Sequence, residues 1–167
     1  VVVHATEGPS VESAFQTFYP ARMDPDSRKR LAHASALNVS AHFVIDRNGT
    51  IYRFLPETRF ARHTVGLNYC AVGIENVGGT PKIPLTNEQV EANARLIRDL
   101  ARRFPIRYVI GHHEYLAFRK TALWKETAPS YYTIKSDPGD AFMQKLRAKL
   151  TDLKLDAFPL SAERKTP

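Results

Sequence analysis

Six histidines, at positions 4, 33, 42, 63, 112 and 113, are the residues of this chain best suited to hold a metal or move a proton near neutral pH. They form no His-Glu-x-x-His motif and no tight ligand cluster, so their spacing alone is weak support for a metal. Position says more. His4 and His112 each follow a short apolar run, Val1-Val2-Val3 and Tyr108-Val109-Ile110, and a strand end is where rigid backbone delivers a side chain to a sheet edge. Neighbours on a strand point to opposite faces, so only one of His112 and His113 is expected to share a site with His4.

Two acids stand out. Glu75 sits in an apolar run between Ile74 and Asn76, where a carboxylate is costly unless it is solvated, paired or working. Asp137 precedes Pro138 and lies three residues before Asp140, the pattern of a helix N-cap with proline in the first turn. Lys135, two residues earlier, reads in isolation as a surface cation. Cys70 is the single cysteine, which excludes an intramolecular disulfide framework. Nothing near it in sequence lowers its pKa, so a thiol nucleophile is disfavoured.

The elements that must position these groups alternate in type. Val1-Val2-Val3 reads as a buried strand, and Val11, Ala14, Phe15 and Phe18 recur at helical spacing until Pro20. Residues 21–38 are ambiguous, a loop with room for a short helix. Phe43-Val44-Ile45 and Ile51–Phe54 flank Asp46-Arg47-Asn48-Gly49 as a hairpin. A further strand runs from Ala71 to Val77 and closes at Gly78-Gly79. Thr86 and Gln89 make a capping box that opens the strongest helix, with Val90, Ala94, Ile97, Ala101 and Phe104 on its apolar face and Pro105 at its end. Tyr108–Ile110 is the next strand. After a long loop, Phe142, Met143, Leu146 and Leu150 mark the last helix. Strands interleaved with helices, plus one hairpin, predict an α/β fold: a mixed central sheet with helices on both faces.

At 167 residues the length suits one domain, expected over 1–150, with a polar tail over 151–167. No apolar run approaches the ~20 residues that span a bilayer. The chain opens directly on an apolar run, without a charged-then-apolar signal segment, which points to residues upstream and leaves the compartment to be inferred from function. A net charge of +7 favours anionic partners. Its two basic groups, Arg28-Lys29-Arg30 and Arg95, Arg98, Arg102 and Arg103, lack the interleaved aromatics that stack on bases, so they read as solvated faces rather than a nucleic-acid surface.

In order along the chain, Val2-Val3-His4-Ala5-Thr6, Ser40-Ala41-His42 with Phe43–Tyr52, Arg62-His63-Thr64, Val72-Gly73-Ile74-Glu75, Gly111-His112 and Lys135-Ser136-Asp137-Pro138-Gly139 resemble the zinc-dependent N-acetylmuramoyl-L-alanine amidases of type 2 (AmpD-like). That family shares its fold with peptidoglycan recognition proteins and phage lysozyme-amidases. Each piece is short, but the ordered set is specific and covers nearly the whole chain.

The resemblance implies a Zn²⁺ cofactor with ligands His4, His112 and Asp137, three protein ligands leaving the fourth tetrahedral position for water. It implies Glu75 as the catalytic acid and proton shuttle, Lys135 as the oxyanion stabiliser, and His42 and His63 near the cleft, in a packing or substrate-contact role rather than as ligands. The implied reaction is hydrolysis of the amide between N-acetylmuramic acid and L-alanine in peptidoglycan or muropeptides, and the implied place is the cell envelope, periplasmic or secreted. The chain departs from the family at His113, and in the stretch from Glu114 to Ile134. That stretch is longer than usual and carries Trp124, Tyr131 and Tyr132, which either line the substrate groove or pack the loop down. Two other function classes compete: a non-catalytic peptidoglycan-binding module of the same fold, and a basic metal-dependent nuclease, which would be expected to gather more acidic ligands.

Overall fold

The computed structural model describes residues 1–24, 26, 35–128 and 130–160. His33 and the Arg28-Lys29-Arg30 run lie outside the described residues, as does most of the ambiguous segment. Five strands form one mixed sheet: β1 (Val2–Ala5), β2 (Phe43–Ile45), β3 (Ile51–Arg53), β4 (Gly73–Asn76) and β5 (Ile110–Gly111), in the order β3-β2-β4-β1-β5. Only the β2–β3 hairpin is antiparallel. β2, β4, β1 and β5 run parallel, so their C-terminal ends share one edge.

Strand alternation sorts the side chains. Val3, Phe43, Ile45 and Ile74 face α2 (Asn87–Arg103) and α3 (Asp140–Lys149), and with Val90, Ile97, Leu100, Met143 and Leu146 they make the main core. The opposite face carries Val2, His4, Val44 and Glu75. Its cover has two separate parts. At one side α1 (Val11–Phe18) packs Ala14 near Val44 and Val77. At the other, the 3-10 helix over His112–Phe118 brings Tyr115 and Phe118 together with Val2, Leu67 and Ile110. Helices therefore lie on both faces, as expected, and the gap between the two covers on the second face opens a cleft.

The Thr86–Gln89 capping box forms as read: the Gln89 N–H donates to Thr86 Oγ1 at 3.2 Å, and the Thr86 N–H donates to Gln89 Oε1 at 2.9 Å. The Gln89 amide also donates to the carbonyls of Ile45 and Val77, locking α2 onto the sheet. Three expectations need correction. α3 begins at Asp140 with Gly139 as its N-cap, so Asp137 does not cap it; its carboxylate is engaged elsewhere. The fifth strand is Ile110–Gly111 rather than Tyr108–Ile110, because Tyr108 instead bridges Asp156. The residues past 150 do not stand off as a tail at first: Leu153 and Leu155 pack on the main core, and Asp156 exchanges backbone bonds with Arg107 and Val109.

Candidate active site

The register of β1 against β4 sets His4 directly opposite Glu75, so both side chains leave the same face of the sheet side by side. His112 follows β5 immediately. All three therefore lie at the C-terminal ends of parallel strands, the edge at which open α/β sheets bind ligands. Asp137 arrives from the irregular segment before α3, and the Ala5 N–H at the end of β1 donates to its Oδ2 at 3.3 Å.

Three atoms converge there. His4 Nδ1 lies 3.0 Å from His112 Nδ1, His112 Nδ1 lies 3.1 Å from Asp137 Oδ2, and His4 Nδ1 lies 3.7 Å from the same oxygen. A tetrahedral zinc with bonds of about 2.0–2.1 Å needs ligand–ligand edges of about 3.3 Å, so this triangle has the size and the donor chemistry of one face of such a site.

The proton positions agree. The Ala71 carbonyl can only accept, so His63 carries its proton on Nε2, 3.2 Å away, and presents Nδ1 as an acceptor. That nitrogen lies 3.0 Å from His4 Nε2, which donates to it and leaves His4 Nδ1 with a lone pair. Both rings are held uncharged. Burial, followed by the neighbouring His112, His63 and Lys135, pushes His4 well below the ordinary histidine range. Burial, with His42 next in weight, takes His63 to about 3. Burial would raise the Asp137 carboxyl, but the hydrogen bond and charge of His112, the Ala5 N–H and the Lys135 ammonium outweigh it and hold it below its usual value.

Glu75, Lys135 and His63 line the cleft over this triangle, about 560 Å³ in volume. A second hollow of about 1110 Å³ shares Arg62, His63, His112 and Lys135 with it and runs past Phe60, Tyr69 and Tyr131, so the two make one groove. His42 takes the packing role and not the substrate contact. It is buried, its Nδ1 accepts the Gly73 N–H at 3.0 Å and its Nε2 donates to the Arg59 carbonyl at 3.0 Å, so it joins backbone segments and presents nothing to the groove. Of the histidine doublet, His112 faces His4. His113 turns to the Asp137 carbonyl and Asp140. The cause is the start of a 3-10 helix at His112 rather than strand alternation.

The insertion divides its rings between roles. Trp124 stacks on Tyr115, with centroids 5.9 Å apart, and covers Gly66 so closely that a Cβ there would fall 2.4 Å from the indole. Tyr132 lies beneath the Arg119 guanidinium at 4.4 Å, while Tyr131 lines the groove and accepts a bond from Arg62. Thr64 closes the Arg62-His63-Thr64 motif without a role implied for it, and Asn68 belongs to no motif. Thr64 Oγ1 sits 2.9 Å from His63 Nδ1, and Asn68 Oδ1 accepts the N–H groups of both His63 and Thr64. The only signal for Thr64 was its place directly after Arg62-His63. The helical basic group is largely spoken for at Arg98, paired with Asp152, and Arg103, paired with Asp99 and Glu57. Burial raises the Cys70 thiol, in keeping with no nucleophilic role.

The sheet edge thus gathers a His-His-Asp triangle that could hold a metal ion, with a carboxylate and an ammonium lining the same cleft. Residues 1–140 match the family model described as N-acetylmuramoyl-L-alanine amidase, and the chain belongs to that family. It is 30% identical over 145 residues to the 1,6-anhydro-N-acetylmuramyl-L-alanine amidase AmpD of Salmonella typhimurium, an alignment covering 81% of this chain and 67% of the relative. Among solved structures, a selenomethionine derivative of AmpD is similar with a TM-score of 0.57 at 26% identity, covering 89% of this chain and 82% of that one. The amidase LysC from Clostridium intestinale shares the fold with a TM-score of 0.58 at 21% identity, covering 93% and 84%. No helix among the described residues is long and apolar enough to cross a membrane.

Proposed function

We propose that this chain is a zinc-dependent amidase that hydrolyses the bond between the lactyl group of N-acetylmuramic acid and L-alanine of the peptidoglycan stem, with His4, His112 and Asp137 holding the metal. The observation that carries the reading is the convergence of His4 Nδ1, His112 Nδ1 and Asp137 Oδ2 on the floor of a cleft that Glu75 and Lys135 also line. Zinc, when bound there, supplies a Lewis acid and lowers the pKa of a water towards about 7.

The chain supplies the rest. Glu75, adjacent to His4 across the β1–β4 ladder, takes the proton of the attacking water and returns it to the departing amine, which an amide needs because its nitrogen is a poor leaving group. Lys135 faces the carbonyl oxygen as it becomes negative. His63 keeps His4 in the tautomer whose Nδ1 is free, and borders the substrate rather than ligating. The positive balance of the chain suits a polymer that carries stem-peptide carboxylates. The cell envelope, where that polymer lies, is the proposed compartment.

The test is mass spectrometry of muropeptides and of intact peptidoglycan after incubation with the protein, with and without a chelator. Release of stem peptides that begin with free L-alanine, abolished by the chelator and restored by zinc, is the expected result. Unchanged muropeptides, or cleavage that persists without metal, would overturn it.

A further inference from the structure

His113 follows a residue of the converging triangle, yet nothing in the proposed reaction uses it. Its ring is turned out of the site and lies along the segment that carries Asp137. The His113 backbone N–H and its Nδ1–H both donate to the Asp137 carbonyl oxygen, at 2.9 and 3.0 Å, and its Nε2 lies 2.9 Å from Asp140 Oδ1 in the first turn of α3. The ring rests on Gly111, where a Cβ would come within 2.6 Å of Cε1, so glycine at that position makes its seat. His113, Glu114 and Asp140 are close enough together to invite comparison with a second cation site. Glu114 is already committed: Arg147 grips both of its oxygens and the Gly111 N–H donates to one of them.

We propose that His113 is a positioning residue that ties the two halves of the metal site together, His112 on the sheet side and Asp137 on the loop side. This inference rests on the zinc reading above. Asp137 belongs to a segment without regular structure, and among the described residues the one backbone bond to its carboxylate, from Ala5, is long at 3.3 Å. Two donors from one residue fix its carbonyl instead. With the peptide held, the carboxylate is left to rotate only about its own side-chain bonds and meets His112 Nδ1 at 3.1 Å. Partners outside the immediate ligand shell typically contribute 10–100-fold to metal affinity by this kind of orientation.

The experiment compares the unaltered chain with His113→Ala and His113→Asn. The asparagine keeps a side-chain N–H near the place of Nδ1. Zinc dissociation constants come from competition with a chromophoric chelator at fixed pH, and the Tm of each metal-free form serves as the control. The expected result is zinc binding weakened about 10–100-fold in His113→Ala and largely restored in His113→Asn, with metal-free Tm values that do not follow the same order. Gly111→Ala, which displaces the ring without removing it, should weaken zinc in the same direction and serves if the alanine variant does not fold. Unchanged affinity in His113→Ala, or an asparagine variant as weak as the alanine one, would overturn the proposal. A wild-type chain that takes up no zinc would instead overturn the reading beneath it, an outcome the same titration separates.

Discussion

Glu75 and Lys135 line the same cleft, and under the proposed reaction their variants should read differently. Glu75→Gln keeps shape and polarity while removing the proton acceptor, so turnover should fall by about 10²–10⁴ with zinc content unchanged. Lys135→Ala should lose about 10²–10³ in kcat with little change in KM, since the oxygen it faces carries full charge only in the transition state. A raised KM at unchanged kcat would make Lys135 a contact to a substrate carboxylate instead. The uncharged histidines make a separate forecast for the metal-free protein. Unfolded, His4 and His63 titrate near 6.5, whereas folding holds His4 well below that and His63 at about 3. Between those limits the unfolded chain binds more protons, so stability is lost as pH falls from 7 to 5, by up to about 1.4 kcal/mol per pH unit for each ring. Urea titrations in chelator at the two pH values, on the natural chain and on His63→Gln, measure this, and the variant should show the shallower loss. The residues named from the ordered motifs meet at one cleft, with the exception of His42. Its type and spacing matched a cleft position, but ring nitrogens spent on the Gly73 and Arg59 backbones cannot be read from a one-dimensional pattern.

Elements were legible where local chemistry decides them. The α2 start followed from Thr86 and Gln89, and the hairpin from its β-branched runs around Asn48-Gly49. The sequence neighbours of Asp137 permit a cap, whereas a contact 132 residues away at Ala5, and another at His112, claim the carboxylate. The same kind of long-range claim hides a buried polar relay from the sequence pattern: the Asn93 amide donates to Asn76 Oδ1 at 2.7 Å, and the Asn76 amide donates to the His4 carbonyl at 3.0 Å. In sequence these are two asparagines in an apolar strand and a helix. In the fold they connect α2 through β4 to the backbone of His4. Asn76→Ala should leave those buried groups unmatched and cost about 1–3 kcal/mol, seen as a lower urea midpoint at an unchanged m-value. A variant as stable as the natural chain would show that the relay is dispensable.

Across the whole molecule, the groove runs from α1 over the candidate metal site to the insertion, and its far wall carries Phe60 and Tyr69, rings 5.0 Å apart and 41% and 76% exposed. Exposed rings beside a cleft suit the apolar faces of sugars and the alkyl parts of peptides. Tyr69→Ala should raise KM on intact peptidoglycan about 2–10-fold with kcat retained, as expected for a ring contact of about 0.5–1.5 kcal/mol. An unchanged KM would restrict substrate contact to the near half. The central place of β1 has a further consequence, for the order in which the molecule is made. Among the five strands β1 comes first along the chain, yet its partners on either side, β4 and β5, begin at residues 73 and 110. Pairings so distant carry a high loop-closure cost and slow folding. On the ribosome, Val1-Val2-Val3 must wait as an apolar, unpaired segment until residues 73–76 and then 110–111 follow, the kind of exposure that chaperones recognise. The candidate site therefore assembles late, because the strand that bears His4 gains its second neighbour only once Ile110 and Gly111 are in place.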